Sequence, residues 1–242
     1  AVQWSWHMGV DQVQIGNGTF LLTDAIEHMR SMPDECIDMI FTDPPYRVIS
    51  GGTESSHVSG FRSSVLAAND GKIFRHNSVS ITDYMTQFYR LLKPGAHCYV
   101  MTNNLNLREL LNVAHEVGFG FHNLLVWRKN TCNANRWYMK EMELVCFFYK
   151  KPAKRIVNAG SKQIFEAPNP RDKRHPTEKP VELMQHYIEN SSAVGDLVLD
   201  PFAGSGSTAI AAQRAGRRWL SIEMDPVFYY GAAARIWSEC DG

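Results

Sequence analysis

Seven short apolar runs, several of which end in an acidic or polar residue, most constrain how this chain can fold. They cover residues 19–23, 38–42, 97–102, 124–127, 143–149, 196–199 and 219–222. Runs of this kind are typical of parallel strands that are buried on both faces. Stretches with helical spacing fall between most of them, at residues 81–92, 105–117, 181–190, 207–215 and 226–238. The alternation predicts an α/β fold with a doubly wound, mostly parallel sheet.

The length and composition favour one domain. A single α/β domain is a common solution for 242 residues, and 44% hydrophobic residues suffice for one continuous core. Two polar stretches interrupt the alternation: residues 47–80, predicted as a mobile loop, and residues 150–175. No apolar run approaches the roughly 20 residues that span a bilayer, and the first residues do not resemble a secretory signal, so no membrane contact is expected. The five cysteines lack paired spacing, which favours reduced thiols, a cytoplasmic location and no metal site.

The charge is distributed unevenly, although the formal net charge is zero. Residues 128–179 hold 13 Lys and Arg but only 5 Asp and Glu, which gives this segment +8 and the rest of the chain −8. A basic segment on a neutral protein is consistent with a face that binds a polyanion, or with an ordinary solvated surface. The candidate phosphate contacts are Arg128, Lys129, Arg136, Lys140, Lys154, Arg155, Arg171, Lys173 and Arg174.

A glycine-rich segment follows the apolar run 196–199 and opens the helical stretch 207–215. It reads Asp200-Pro201-Phe202-Ala203-Gly204-Ser205-Gly206-Ser207-Thr208. Gly204 and Gly206 permit a tight turn and a close approach of backbone to ligand, and the following helix presents free N–H groups at its N-terminus. Glu223, after the next apolar run, can accept hydrogen bonds from ribose hydroxyls. The segment predicts an adenosine-containing cofactor but does not by itself distinguish NAD from S-adenosylmethionine.

A second motif comes directly after the apolar run 38–42 and consists of Asp43, Pro44, Pro45 and Tyr46. Two prolines lock the backbone, so the motif predicts a stiff, extended corner at the carboxyl end of a strand. Ligands of open α/β sheets bind at that end. The corner would hold a hydrogen-bond acceptor, Asp43, and an aromatic face, Tyr46, at a defined separation.

Together the two motifs resemble those of the amino-group DNA methyltransferases, specifically the permuted beta class. In that class the D-P-P-Y motif precedes the target-recognition region and the cofactor loop lies near the C-terminus, which is the order found here. The resemblance covers residues 16–240. It implies one catalytic domain over residues 1–242 with a seven-stranded sheet, in which residues 143–149 form the antiparallel strand. It also implies that residues 126–130 border the target base and that residues 130–172 are a small target-recognition region.

The resemblance assigns roles to individual residues. Asp43, Pro44, Pro45 and Tyr46 would be catalytic. Asp24 is similar to the acid that the family places near the cofactor adenine, and residues 175–180 to the segment that holds the methionine end, where Lys179 would meet the carboxylate. The implied contacts with S-adenosylmethionine are Asp24, Thr177, Lys179, Asp200, Phe202, Ala203, Gly204, Ser205, Gly206, Ser207, Thr208 and Glu223.

The implied reaction transfers a methyl group from S-adenosylmethionine to the exocyclic amino group of adenine in DNA, by direct displacement after base flipping. An aspartate carboxylate is too weak a base to deprotonate an arylamine, so Asp43 would accept a hydrogen bond from it, while Tyr46 would stack on the flipped base. DNA is the expected partner, a homodimer is left open, and a restriction-modification system of a bacterial or phage-infected cell is the expected context.

Three alternatives stay open at this point. Cytosine, RNA or a protein side chain could be the acceptor on the same fold. A nicotinamide-linked oxidoreductase could use the glycine-rich segment, although residues 43–46 would then have no explanation. A non-catalytic DNA-binding module could have retained the fold.

Overall fold

A ten-stranded sheet runs through the protein, seen here in a computed structural model. The structure describes residues 3–7, 10–45, 79–133, 138–170 and 178–240. The strands are β1 (Gln3–His7), β2 (Val10–Ile15), β3 (Gly18–Leu22), β4 (Ile37–Thr42), β5 (Leu92–Thr102), β6 (Gly120–Asn133), β7 (Lys140–Tyr149), β8 (Ile164–Glu166), β9 (Leu197–Asp200) and β10 (Arg218–Glu223). Their spatial order is β1-β2-β3-β10-β9-β4-β5-β7-β6-β8.

All seven predicted strands are present and form the middle of this sheet, from β3 to β6 in the spatial order. Strands β3, β10, β9, β4 and β5 are mutually parallel. Strand β7 runs antiparallel to both of its neighbours, β5 and β6. The prediction of a mostly parallel sheet with an antiparallel strand at residues 143–149 is therefore confirmed.

The predicted number of strands, seven, was too low, because three strands extend the sheet at its edges. Strands β1 and β2 form an antiparallel pair beside β3, and β8 pairs with β6. In β2 the buried side chains of Val13 and Ile15 alternate with polar residues, so this strand has no continuous apolar run. Strand β8 has only three residues, too few for a recognisable pattern.

Within the described residues, six helices cover the two faces of the sheet. They are α1 (Ala25–Ser31), α2 (Ile81–Leu91), α3 (Leu107–Val117), α4 (Val181–Ser191), α5 (Ser207–Arg214) and α6 (Pro226–Cys240). Met29 of α1 and the buried apolar side chains of α2 and α3 belong to one large apolar cluster, and those of α4, α5 and α6 belong to another. The sequence pattern missed α1, which is only seven residues long and begins at an N-terminal cap formed by Asp24.

The central strands are apolar at successive positions because both of their faces are buried. In β4, Met39 and Phe41 pack in the cluster under α4–α6, while Ile40 packs in the cluster under α1–α3. All three side chains are completely buried. Burial of each such side chain contributes about 1.5–3 kcal/mol, which explains why these short strands were the clearest signal in the sequence.

The order of connection reverses between β4 and β9, which lie side by side at the centre. From β4 the chain continues to β5 on one side, whereas from β9 it continues to β10 on the other. Both strands are parallel, with Ile40 opposite Leu199. Ligands of doubly wound sheets bind beyond the carboxyl ends of the strands at such a reversal. The residues that follow Thr42 and Leu199 therefore occupy the position where a binding site is expected.

Most of the stretch 47–80 lies outside the described residues, as do residues 134–137 and 171–177. Residues 150–170 are described and contain β8 within an otherwise irregular connection. No helix in the described ranges is long and apolar enough to cross a bilayer. The division of the chain into one catalytic domain with a mobile loop and a small target-recognition region stays a prediction.

Candidate active site

The structure brings the two sequence motifs together at the carboxyl edge of the sheet. Asp43 follows β4, and Asp200 ends the adjacent strand β9. The hydroxyl of Thr42 donates a hydrogen bond of 2.7 Å to Oδ1 of Asp200, which ties the two strand ends to each other. Residues that are more than 150 positions apart in the chain thus border one site, as the motif assignment requires.

The glycine-rich turn is shaped by two glycines with positive φ. Gly204 has φ 51° and Gly206 has φ 78°. A Cβ atom on Gly206 would lie 2.8 Å from Cδ1 of Ile236, so a side chain at this position would meet both backbone strain and a packed neighbour. Gly206 directly precedes α5, whose N-terminus has no side-chain cap. The turn therefore leaves backbone at the start of α5 uncovered by side chains of its own.

Glu223 holds the same turn from the neighbouring strand. Its carboxylate accepts hydrogen bonds from the backbone N–H groups of Gly204 at 3.0 Å, Met224 at 2.9 Å and Asp225 at 2.9 Å. Burial raises the pKa of Glu223. A carboxylate has about four lone-pair sites. Three backbone donors therefore leave capacity for a further donor such as a hydroxyl group.

Asp200 is buried and takes part in the hydrogen bonding of the turn. Besides Thr42, the backbone N–H of Phe202 donates to Oδ1 at 3.2 Å. Burial raises the pKa of Asp200 to about 6, although hydrogen bonds from Thr208, Thr42 and Phe202 act in the opposite direction. The group therefore holds its proton more tightly in the folded protein than in the unfolded chain.

This difference predicts a pH-dependent stability. The folded state gains from the protonated Asp200 at low pH, and that contribution is lost as the pH rises from about 4 to about 6. Since one pKa unit corresponds to about 1.4 kcal/mol, the variant Asp200→Asn should gain roughly 2–3 kcal/mol relative to the parent protein across this range. Urea unfolding at pH 4 to 7.5 measures it. Asp34→Asn, at an exposed carboxylate, serves as control, and a pH-independent difference for Asp200→Asn would contradict the prediction.

Lys179 lies against Asp43. Its ammonium nitrogen is 2.7 Å from Oδ2 of Asp43 and 3.1 Å from Oε2 of Glu143, and only 11% of its side chain is exposed. Lys129 is an ion-pair partner of the second oxygen of Glu143. Burial alone would lower the pKa of Lys179, but the carboxylates of Asp43 and Glu143 raise it. The resemblance implied that Lys179 meets the cofactor carboxylate, whereas the structure places its ammonium group beside Asp43.

The sequence did not reveal that Arg235 supports the glycine-rich turn. Its Nη1 donates to the carbonyl of Ser205 and to the hydroxyl of Ser207, both at 3.1 Å. Its Nη2 forms a 3.1 Å ion pair with Glu178, and both side chains are buried. Arg235 lies on the buried face of α6, one turn after Ala232. That helical phase is the signal that could have identified it.

The other predicted cofactor residues of the described chain lie around the same turn. Asp24 accepts a hydrogen bond of 2.8 Å from the N–H of Glu27 as the cap of α1, and the preceding Thr23 N–H donates to the carbonyl of Glu223. The backbone N–H of Ala203 donates to the carbonyl of Ile222 at 2.9 Å. The backbone carbonyl of Lys179 accepts from the hydroxyl of Ser207 at 2.9 Å. Tyr46 and Thr177 lie outside the described residues.

The candidate DNA contacts separate into groups. Arg128 forms an ion pair with Glu166 of β8, and Lys140 is exposed at the start of β7. The ammonium group of Lys129 is paired with the partly buried Glu143. Arg136, Arg171, Lys173 and Arg174 lie outside the described residues.

Lys154 and Arg155 are exposed but distant from Asp43. The carbonyl of Lys154 is hydrogen-bonded to His97 at 2.9 Å, five residues before the carboxyl end of β5. At about 3.3 Å per residue, this point is roughly 15 Å from the edge that carries Asp43. The placement gives no support to a contact between these two residues and DNA bound at Asp43.

The fold and the site together define a class of protein. It is a doubly wound α/β enzyme in which a glycine-rich turn of the nucleotide-binding type lies beside an aspartate at the end of the neighbouring strand. The chain belongs to the DNA methylase family of N6- and N4-methyltransferases, whose model matches residues 37–234. Members of this family use S-adenosylmethionine. The predictions of a methyltransferase that acts on DNA with this cofactor are therefore confirmed. The family gives no support to the oxidoreductase alternative.

Individual proteins agree with this assignment. The chain is 27% identical over 239 residues to the Type II methyltransferase M2.DpnII of Streptococcus pneumoniae, which covers 90% of this chain and 88% of that protein. The fold of this chain is similar to that of the M1.HpyAVI–SAM complex, with a TM-score of 0.66 and 21% identity. The match covers 92% of this chain and 98% of that one. The fold is also similar to that of the PvuII DNA methyltransferase, described as cytosine-N4-specific, with a TM-score of 0.71, 19% identity and coverage of 94% and 93%.

Proposed function

We propose that this protein methylates the exocyclic amino group of adenine in DNA. The observation that carries the proposal is the position of Asp43, which lies at the carboxyl end of β4, beside the glycine-rich turn that follows β9. Aspartate as the first residue of the motif resembles the adenine enzymes most. The similarity to M2.DpnII, which is named a Type II methyltransferase, supports a role in a restriction-modification system.

The residues around the turn fit an adenosine-containing cofactor. The start of α5 has no side-chain cap, and Glu223 retains acceptor capacity beside Gly204. The backbone around residues 203–206, with Glu223 and Asp24, would hold S-adenosylmethionine. When bound, S-adenosylmethionine supplies an electrophilic methyl group on its sulfonium. The contact of Lys179 with the cofactor carboxylate stays a prediction.

The contribution of Asp43 is to accept a hydrogen bond from the target amino group. The lone pair of that nitrogen is delocalised into the ring, and a hydrogen bond to a carboxylate favours the pyramidal form in which it is localised. A charge-assisted hydrogen bond contributes about 1.5–3 kcal/mol, which corresponds to roughly a tenfold to 150-fold change in rate. Pro44 and Pro45 hold Asp43 in an extended backbone, so the acceptor is oriented before the base arrives.

The position of the hairpin formed by β6 and β7 indicates where DNA would bind. Leu144 of β7 pairs with Thr102 at the end of β5, so residues before Leu144 extend past the sheet edge. Lys140, four residues earlier, is therefore about 13 Å beyond that edge. Only β5 separates β7 from β4, which places the hairpin about 10 Å to the side of Asp43. We propose that DNA binds between this hairpin and Asp43.

The hairpin carries apolar side chains that are unusual for a solvent-exposed surface. Tyr138 is 94% exposed, and Met139 and Met142 are also exposed. Exposed apolar groups beside a basic site are typical of residues that pack against bases or sugars in bound DNA. Lys140 and Arg128 on the same hairpin would contact phosphates.

Replacing Tyr138 by alanine should weaken DNA binding by roughly tenfold, because one base-stacking contact is worth about 1–3 kcal/mol. Fluorescence anisotropy with a labelled duplex measures the Kd. Tyr230→Ala is the matched control, since Tyr230 is 50% exposed but lies on α6, which packs over β2, β3 and β10. Equal DNA affinities for the two variants would remove Tyr138 from the proposed DNA surface.

The proposed acceptor is tested by identifying the product. The protein is incubated with unmethylated genomic DNA and S-adenosylmethionine, and the nucleosides are analysed by mass spectrometry after digestion. N6-methyldeoxyadenosine is the expected product. N4-methyldeoxycytidine in its place would make cytosine the acceptor, and the absence of both would refute the proposed activity. Single-molecule sequencing of the same DNA then reports the sequence context of the modified base.

A further inference from the structure

Four side chains of alternating charge form a chain that ends at the catalytic motif. Lys129 pairs with Oε1 of Glu143, Oε2 of Glu143 is 3.1 Å from Nζ of Lys179, and the same Nζ is 2.7 Å from Oδ2 of Asp43. Two positive and two negative groups make this chain neutral as a whole. Each oxygen of Glu143 contacts a different ammonium group, so Glu143 separates the two lysines and connects them.

Glu143 is partly buried, with 29% of its side chain exposed, and each of its carboxylate oxygens lies on a different lysine. It lies where β7 reaches the sheet edge, two residues after the exposed Glu141 and one before Leu144, the partner of Thr102. Burial would raise the pKa of Glu143, but the ammonium groups of Lys179 and Lys129 lower it. The carboxylate is therefore ionised at neutral pH, and its two ammonium partners stabilise that charge.

Lysine on its own is a flexible anchor. Its ammonium group is carried on four methylene groups, and a single carboxylate would leave much of this freedom in place. Lys179 has two anchors, Asp43 and Glu143, which come from strands β4 and β7 on opposite sides of β5. The backbone of Lys179 is also held, because its carbonyl accepts from Ser207 at 2.9 Å. The ammonium group thus has two carboxylate partners, and the backbone that carries it is held by a third contact.

We propose that Glu143 is a positioning residue of the methylation site: it holds the ammonium group of Lys179 against one carboxylate oxygen of Asp43, and so fixes the direction of that carboxylate. The inference rests on the proposed role of Asp43. Glu143 does not contact the substrate; it acts through Lys179. Without its negative charge, the two lysines would repel each other and leave one excess positive charge beside Asp43.

The first test needs no methyl transfer. The variant Glu143→Gln keeps the shape of the side chain and removes its charge. Brief labelling with an amine-reactive ester, followed by peptide mass spectrometry, reports the reactivity of Lys179. We expect the labelling of Lys179 to increase several-fold in this variant. Glu189→Gln is the matched control, because Glu189 is an exposed carboxylate on α4 that accepts a hydrogen bond from Gln185. This variant should leave the labelling of Lys179 unchanged.

The second test uses kinetics. Glu143→Gln should lower kcat about tenfold or more with little change in the KM for DNA, because an anchor of the acceptor is lost and not a DNA contact. The acidic limb of the pH profile should move to lower pH, since the added positive charge favours the ionised carboxylate. The double variant Glu143→Gln with Lys129→Met restores neutrality and should return this limb towards its original position. A purely structural role would not move it.

The two tests separate this inference from the proposed function. If the parent protein forms no methylated adenine, the proposed function fails, whatever the labelling of Lys179 shows. If the parent protein is active and Glu143→Gln folds, unchanged labelling of Lys179, kcat and pH profile in this variant would overturn the positioning role. In the neutral double variant, unchanged labelling of Lys179 and unchanged kcat would do the same. Circular dichroism melting identifies any variant that does not fold, and the double variant supplies the comparison when the single variant is unstable.

Discussion

Replacing Asp43 by asparagine is expected to lower kcat for methyl transfer by roughly a hundredfold and to leave the binding of S-adenosylmethionine intact. The carboxylate is the acceptor that would localise the lone pair of the target nitrogen, and an amide provides only a neutral acceptor in its place. A loss of about 3 kcal/mol in transition-state stabilisation corresponds to a factor of about 150. Transfer of a labelled methyl group to DNA measures kcat, and isothermal titration calorimetry measures the affinity for the cofactor.

Measuring the affinity for the cofactor distinguishes the loss of a hydrogen-bond acceptor from the loss of the site's structure. The glycine-rich turn is held by Glu223 and Arg235, so its shape should survive the exchange. Asp34→Asn is the control, since Asp34 is an exposed carboxylate that precedes β4, at its opposite end. Loss of both activity and cofactor binding in the Asp43 variant would mean that this residue is structural, and the assignment of its role would be wrong.

Replacing Arg235 by methionine is expected to destabilise the protein by about 3–5 kcal/mol and to weaken cofactor binding. Removing one partner of a buried ion pair leaves the other charge uncompensated, which accounts for an effect of this size. In this variant Glu178 loses the positive charge that compensates it. The carbonyl of Ser205 and the hydroxyl of Ser207 also lose a hydrogen-bond donor. Urea unfolding measures the stability, and calorimetry measures the cofactor affinity.

Arg214 provides a matched control, because it pairs with Glu239, which Arg235 also contacts. It forms a 3.0 Å ion pair with Glu239, as Arg235 does at 2.9 Å, but 46% of its side chain is exposed. Exposed pairs are worth about 1 kcal/mol or less, so Arg214→Met should have a small effect. The double variant Arg235→Met with Glu178→Gln should recover part of the lost stability, because no buried charge then remains. Equal effects of Arg235→Met and Arg214→Met would contradict the expected role of burial.

The sequence was most informative where burial left a pattern that extends along the chain. Strands such as β4 are apolar on both faces, so their continuous runs were visible without knowledge of their neighbours. Strand β2 and helix α1 were missed for different reasons. In β2, buried and polar residues alternate because only part of the strand is buried. For α1, the local feature is one capping hydrogen bond, from the N–H of Glu27 to Asp24. Short elements of this kind gain their stability from tertiary packing.

The site shows the same division. Asp43 and the glycines of the turn were recognisable because their chemistry depends on neighbours in sequence: a proline corner, and backbone with positive φ. Glu143 and Arg235 were not recognisable, because their roles depend on partners 36 and 57 positions away, Lys179 and Glu178. A charged residue that is buried looks like any surface charge until its partner is known.

The sequence by itself determined the class of fold, the presence and order of the two motifs, and the chemistry that they can support, since all of these follow from local patterns of apolar, glycine and proline residues. Only the tertiary structure decided that β4 and β9 are neighbours, that Lys179 forms an ion pair with Asp43, and that Glu143 lies between Lys129 and Lys179. The physical reason is that an ion pair inside a protein must be matched group by group. Which groups meet is set by the crossover connections of the sheet, and these bring together residues that no local pattern relates.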